Sequence, residues 1–241
     1  MLDRVDKIQS DGADSRRRPQ PEEGPLSILF EDDAVLILDK PSGLVVHPTY
    51  KNTAGTLLNA ILWRYRHRAD VQPGILTRLD KDTTGVVVVA LSPDLHARLQ
   101  RDMVAGHITK EYLAVVNGIP DPPVGTINLP LGRSSVDRRI VVVREDGAHC
   151  ETRYEVVWRR TTDDGHASVV RCELVTGRTH QIRVHLAARG WPVVGDRVYG
   201  EGSPRIARQA LHAWRITFPH PVTREAMTVT SPVPADIDAL L

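Results

Sequence analysis

Short apolar runs broken by polar turns dominate this sequence, and most are too short to be anything but strands. Residues 26–30 and 34–38 flank the acidic turn Glu31-Asp32-Asp33, which predicts a hairpin. Pro41-Ser42-Gly43 turns the chain ahead of another short run at 44–46. Residues 56–68 predict a helix, with Leu57, Leu58, Ile61 and Leu62 on one side. The run 86–91 is unbroken and β-branched, as a buried strand is. It leads directly into helix signals. Ser92 is a natural N-cap, Pro93 suits the first turn, Asp94 complements the dipole, and Leu95, Leu99 and Met103 repeat every four residues up to Gly106.

A strand is predicted at 110–116, and paired strands at 152–159 and 167–175 across the turn Asp163-Asp164-Gly165. Residues 179–189 predict a helix stopping at Gly190, and 211–218 and 227–230 predict closing strands. Strands outnumber helices and lie close together, which points to an α+β fold rather than a doubly wound one. With no internal repeat and no interior Pro-, Gly- or Ser-rich linker, residues 25–241 are expected to form one domain. Residues 1–24, polar and without apolar period, are expected to be a disordered tail.

Composition narrows the class. Charged residues at 25% and apolar ones at 41% belong to a soluble globular protein. No apolar run approaches the ~18 residues of a membrane span, and residues 1–24 lack the apolar core of a signal peptide. Two cysteines, Cys150 and Cys172, make neither a disulfide framework nor a zinc cluster, so a cytoplasmic location is expected. Net charge is only +1, yet the cations cluster. Arg64, Arg66, His67 and Arg68 lie beside Trp63 and Tyr65; Arg133, Arg138 and Arg139 form a second group. A third runs through Arg178, Arg183, Arg189, Arg197, Arg205, Arg208 and Arg215. Local fields of this kind, rather than net charge, decide whether a polyanion docks. Solvated helix faces would give the same clusters.

The segment Thr77-Arg78-Leu79-Asp80-Lys81-Asp82-Thr83-Thr84-Gly85 holds two carboxylates and two cations just ahead of the 86–91 strand. A side chain there is held by a rigid sheet yet open to substrate, which makes Asp80 a candidate for chemistry. Asp and Thr before Gly are also ordinary turn residues. Other chemistries find no support. His180 and His185, five apart on the predicted helix, lie about 140° apart around its axis and cannot chelate one metal from one face. No Gly-x-Gly-x-x-Gly, Walker loop or Gly-x-Ser-x-Gly elbow is present.

The segment from Arg78 to Gly85 resembles the catalytic motif of the RluA family of RNA pseudouridine synthases, usually His-Arg-Leu-Asp-x-x-Thr-Ser-Gly. Lys110-Glu111-Tyr112-Leu113-Ala114-Val115-Val116-Asn117-Gly118 resembles the family's tyrosine motif. Thr176-Gly177-Arg178-Thr179-His180-Gln181-Ile182-Arg183-Val184-His185-Leu186-Ala187, with Gly195-Asp196 and Tyr199-Gly200, resembles its long C-terminal motif. Leu211-His212-Ala213 and Phe218-Pro219-His220-Pro221 resemble its closing segment. Four motifs in order span roughly residues 25 to 235.

The resemblance implies a catalytic domain built on a mixed, mostly antiparallel sheet flanked by helices, with a cleft for RNA. It implies isomerisation of uridine to pseudouridine in ribosomal or transfer RNA, without metal, nucleotide or other cofactor; a monomer is expected. Asp80 would be the essential carboxylate, Arg183 its salt-bridge partner, and Tyr112 the residue that stacks on the uracil. Arg78 would enter the space left by the flipped base, and Arg178 and Lys110 would hold phosphates. Thr77 and Thr84 stand where the family usually has His and Ser. The stand-alone members without an S4 RNA-binding domain are the closer likeness, since 24 residues are too few for that domain. Specificity is then expected from the loops at 50–53 and 133–139. A non-catalytic RNA-binding protein, or an N-glycosidase using Asp80 and Asp82, would be the competing functions.

Overall fold

The computed structural model describes residues 19–49, 52–162 and 165–241. Strands β1 (Ile28–Glu31) and β2 (Val35–Lys40) form the expected hairpin, with Asp32 Oδ1 accepting the Ala34 and Val35 N–H groups at 2.8 Å. Next comes β4 (Thr84–Ala90), antiparallel to β2, with the two-residue β3 (Gly74–Ile75) on its far end. Every residue of β4 is buried. Val86, Val88 and Ala90 pack in one core with Leu99 of α2 (Pro93–Val104). Val87 and Val89 pack in another with Leu57 and Ile61 of α1 (Leu57–Arg64). Burial on both faces is why this strand reads as a continuous apolar run.

The second half of the sheet runs antiparallel through β5 (Thr109–Asn117), β10 (Gly165–Leu174), β9 (Thr152–Thr162) and β6 (Val124–Ile127). Its core takes in Ile182 and Leu186 of α3 (Gln181–Ala188) and Ile237 of α4 (Ala235–Asp238). A separate hairpin, β7 (Leu131–Arg133) with β8 (Val141–Val143), packs on α3 through Leu131, Val141 and Val184.

Strand β11 (Leu211–Pro219) joins the halves. It pairs antiparallel with β5, parallel with β4 at His212 and Ala213, and antiparallel with β12 (Ala226–Thr230) from Arg215 onward. The sheet thus forks around residue 214, and the parallel contact is the single non-antiparallel pairing among the described strands. Two chains approach closely there. Gly85 has φ 112°, and a Cβ at that position would lie 2.1 Å from the Ala213 carbonyl oxygen.

Some expectations shift. In the run 44–46, Val45 and Val46 accept the Leu57 and Leu58 N–H groups with their carbonyls, satisfying the first turn of α1. That helix stops at Arg64 rather than 68, where Arg66 turns back to the Trp63 carbonyl. Helix α3 starts at Gln181 rather than 179, because His180 is left-handed (φ 56°). The tail boundary drawn at 24 falls late, since Asn59 Nδ2 donates to the Gln20 carbonyl and Gly55 N–H to Glu22 Oε2. Residues 1–18 of the expected tail, Tyr50 and Lys51 of one expected loop, and the turn residues Asp163 and Asp164 lie outside the described residues. No described helix is long and apolar enough to cross a membrane.

Candidate active site

The polar segment leading into β4 is fixed from several sides. Thr77 is buried, and its hydroxyl oxygen accepts the Val88 N–H at 3.0 Å, doing locally what a ladder carbonyl would do. A turn follows, with Thr83 N–H donating to the Asp80 carbonyl at 3.1 Å. Two buried cations then grip its backbone. Lys40, wholly buried at the end of β2, donates from Nζ to the carbonyls of Pro41, Leu44 and Lys81 at 2.7, 2.9 and 2.8 Å. Burial pulls its pKa down to about 8, against the opposing charges of Asp82 and Asp80. Arg208 donates to the Asp82 carbonyl at 3.2 Å while Asp236 neutralises it at 2.7 Å. Thr84, first residue of β4, donates to His212 Nδ1 at 2.9 Å, and His212 Nε2 faces the Ser231 carbonyl at 3.3 Å.

Asp80 meets a second element here. Arg183, in the first turn of α3, donates from Nη1 to Asp80 Oδ2 at 2.9 Å. Its Nε and Nη2 are taken by Asp196 at 2.6 and 2.9 Å, a bidentate pair on a fully buried carboxylate. Asp196 Oδ1 also accepts the Val198 and Tyr199 N–H groups. Burial opposes ionisation of Asp196, but Arg183 and these two N–H donors outweigh it and hold its carboxyl below the ordinary value. Burial likewise works against the Arg183 charge, and the two carboxylates overcome it, raising its pKa. Asp196 thus keeps Arg183 charged and in place, so that a permanent cation lies against Asp80. The Asp80 side chain itself is 26% exposed, against 7% for Arg183.

In front of Asp80 opens a cleft of about 470 Å³ lined by Arg78, Asp80, Lys110, Tyr112, Arg133 and Arg178, with apolar walls from Ile75, Leu76, Met103 and Leu174. Tyr112, on β5, is buried; that burial and the nearby Asp80 charge push its phenol well above the ordinary range, so it is neutral. Burial lowers the pKa of Lys110, and of His47, another lining residue, where the Arg78 charge adds to the effect. None of Arg78, Lys110, Arg133 and Arg178 is ion-paired among the described residues. The cleft therefore concentrates positive potential around one anchored carboxylate.

All six residues singled out in the sequence, Asp80, Tyr112, Arg183, Arg78, Arg178 and Lys110, come together here. The cation clusters do not survive as such. Arg64 pairs with Glu31, Arg139 with Asp137, Arg208 with Asp236 and Arg215 with Glu111. Most of these acids lie far away in the sequence, so counting neighbours along the chain overstated the free charge. Asp82 contributes its backbone carbonyl to the loop and does not line the cleft. Of the loops expected to set specificity, 133–139 links the β7–β8 hairpin and brings Arg133 to the rim.

Sequence reading missed Lys40, His47 and the roles of Asp196, His180 and Tyr199. His180 was considered only as a metal ligand; it sits outside α3, with Nε2 3.7 Å from Asp80 Oδ2. The signal for Lys40 was a lysine closing an apolar strand just before Pro-Ser-Gly, where a solvated end would be the usual reading.

The profile of the RNA pseudouridylate synthase family matches residues 34–188. A relative from Nitrosomonas europaea named ribosomal large subunit pseudouridine synthase D is 43% identical over 92% of this chain and 66% of its own length. A namesake from Xanthomonas campestris pv. campestris is 42% identical over 92% of this chain and 70% of its own. Among solved structures, human RNA pseudouridylate synthase domain containing 1 superposes with a TM-score of 0.70 at 28% identity, covering 88% of this chain and 86% of that one. The chain thus spans about two thirds of its bacterial relatives' length, and the matched stretch carries the Asp80 loop, Tyr112 and Arg183 alike. Profile, relatives and fold agree with the cleft: this chain belongs to the RNA pseudouridylate synthase family.

Proposed function

We propose that this protein isomerises a uridine of structured RNA to pseudouridine, with Asp80 as the essential carboxylate. The observation that carries the reading is the Asp80–Arg183 contact at 2.9 Å, opening on a cleft whose other cations have no carboxylate partner among the described residues. The reaction breaks the N1–C1′ bond and rejoins the uracil through C5; N1 gains a proton and C5 loses one, so nothing is added or left over. Asp80 acts as nucleophile at C1′ or as base at C2′, and both paths need an ionised carboxylate. Tyr112 stacks on the uracil, and its hydroxyl relays the C5 proton, taking it up as its own O–H proton passes to a base. The target base leaves its stack at a cost of a few kcal/mol, and Arg78 fills the gap. Arg178, Lys110 and Arg133 hold phosphates of a loop whose bases are already partly splayed.

The names of the bacterial relatives favour large-subunit ribosomal RNA over transfer RNA as substrate. The two free, buried thiols suit a cytoplasmic enzyme, and we take it to work as a monomer without nucleotide cofactor. Mapping pseudouridine and abasic sites in ribosomal and transfer RNA treated with wild-type or Asp80→Ala protein tests the proposal. Pseudouridine should form with wild type and vanish with Asp80→Ala. Equal levels with both would sink the enzyme reading, and abasic sites would mean a glycosidase. Tyr112→Phe should bind RNA normally and turn over more slowly; weak binding with unchanged chemistry would remove Tyr112 from the mechanism.

A further inference from the structure

His180 has three unusual properties at once. It is one of two non-glycine residues among those described with positive φ, it lies beside the candidate catalytic carboxylate, and each ring nitrogen faces a different partner. Nδ1 is 2.7 Å from the Tyr199 hydroxyl, and the rings meet edge-on at 70°. The Tyr199 oxygen already accepts the Val141 N–H of β8 at 3.0 Å. If it also accepted a proton from His180, the phenolic O–H would have no acceptor among the described residues. With Tyr199 donating to Nδ1, every group is satisfied and the imidazole proton resides on Nε2. The other side of the ring demands the same answer. Nε2 faces Asp80 Oδ2 at 3.7 Å, where an N–H is attracted and a lone pair is repelled.

We propose that His180 is a positioning residue for Asp80, held by Tyr199 as the neutral Nε2–H tautomer. The proposal rests on the reading of Asp80 as the reactive carboxylate. Arg183 Nη1 and His180 Nε2 converge on the same oxygen, Oδ2, and no described residue donates to Oδ1. Gripped by one oxygen from two directions, the carboxylate has a fixed rotation and offers Oδ1 to the substrate. The 3.7 Å separation is longer than a hydrogen bond, so in this structure the Nε2–H meets Oδ2 through electrostatic attraction.

Burial keeps the His180 ring neutral, and the groups facing it are Asp80, Asp196, Arg183, Arg133 and Tyr199. The left-handed backbone fits this placement. A helical φ at 180 would carry the ring away with α3, so the strain is retained where the carboxylate needs a second contact. The Tyr199 ring, 5.0 Å beneath the Arg183 guanidinium, ties both grips on Oδ2 to one aromatic support.

Nitrogen-15 NMR of the imidazoles in free enzyme, with single-turnover kinetics of His180→Asn, Tyr199→Phe and the double variant, tests this. Asn tolerates the left-handed backbone, and Phe keeps the ring under Arg183, so both variants should fold. Wild type should show a single Nε2–H tautomer for His180, and Tyr199→Phe a mixture with Nδ1–H. His180→Asn should lower the single-turnover rate roughly ten- to a hundredfold with RNA affinity unchanged. Tyr199→Phe should do so by less and add nothing in the His180→Asn background. An Nδ1–H tautomer in wild type, additive losses, or a loss confined to RNA affinity would overturn the assignment. Failure of the underlying reading looks different: Asp80→Ala would keep its activity, whatever the tautomer of His180.

Discussion

Thr77 and Thr84, the two letters that depart from the family's usual motif, both place a hydroxyl where the interior has one polar group to satisfy. Thr77 serves Val88 N–H and Thr84 serves His212 Nδ1. Replacing either by valine keeps the shape and strands the partner, so denaturant melts of Thr77→Val and Thr84→Val should each show a loss of about 1–3 kcal/mol. Unchanged midpoints would mean that the partners find other bonds. Asp196→Asn should be worse. It removes the fully buried charge that balances Arg183, and breaking such a pair costs about 3–5 kcal/mol. The rate should fall with stability, since Arg183 is what holds Asp80; a stability loss with a normal rate would separate the two. Asp80 was legible in the sequence because a motif surrounds it. Asp196 stood in the sequence only as a motif letter, because its partner is 13 positions back and nothing local marks a carboxylate as buried.

Strand β4 carries the loop and meets β11 at the same end, at Thr84 and Gly85. Gly85→Ala would push a methyl into the Ala213 carbonyl and force a disfavoured φ, costing at least about 1–3 kcal/mol from the backbone alone. Its melting midpoint should drop well below that of wild type, and an unchanged midpoint would deny the close approach. The other support of the loop, Lys40, makes a pH prediction. Its folded pKa of about 8 lies below the ordinary 10.5, so between these values the unfolded chain binds the proton that the folded one has shed. Stability from this group therefore rises with pH across that window. The unfolding free energy of wild type relative to Lys40→Met should be larger at pH 9.5 than at pH 7.5, and a flat difference would refute it. Strand and helix positions were legible because period and caps are local signals. The start of α3 was not, since nothing in the local pattern marks His180 as left-handed.

Across the molecule, the four cleft cations without an ion-pair partner among the described residues set the response to salt. Each should contribute about 0.7 to the slope of log affinity against log salt for a single-stranded RNA loop. Arg78→Ala, Arg133→Ala and Arg178→Ala should each reduce that slope by about this amount, whereas Arg64→Ala, already paired with Glu31, should leave it nearly unaltered. Acid acts through the interior. Burial holds His185 and His212 below the ordinary imidazole value of 6.5, so as pH falls past 6.5 the unfolded chain takes up protons that the folded one refuses, and stability is lost. Melts at pH 7 and pH 5.5 should show it, with a smaller drop in His185→Gln. The overall α+β architecture followed from strand count, but the fork at β11 did not, because a parallel pairing of two residues leaves no period in the sequence. That junction has a consequence for how the enzyme is made. Arg208, which grips the Asp82 carbonyl, is separated from it by 126 positions, and the strand that closes the fork follows immediately. At a ribosome's ~5–20 residues per second, the nascent chain carries Asp80 for on the order of ten seconds before the residues that hold its loop exist. Catalytic competence is thus among the last properties the chain acquires, arriving only when synthesis is nearly over.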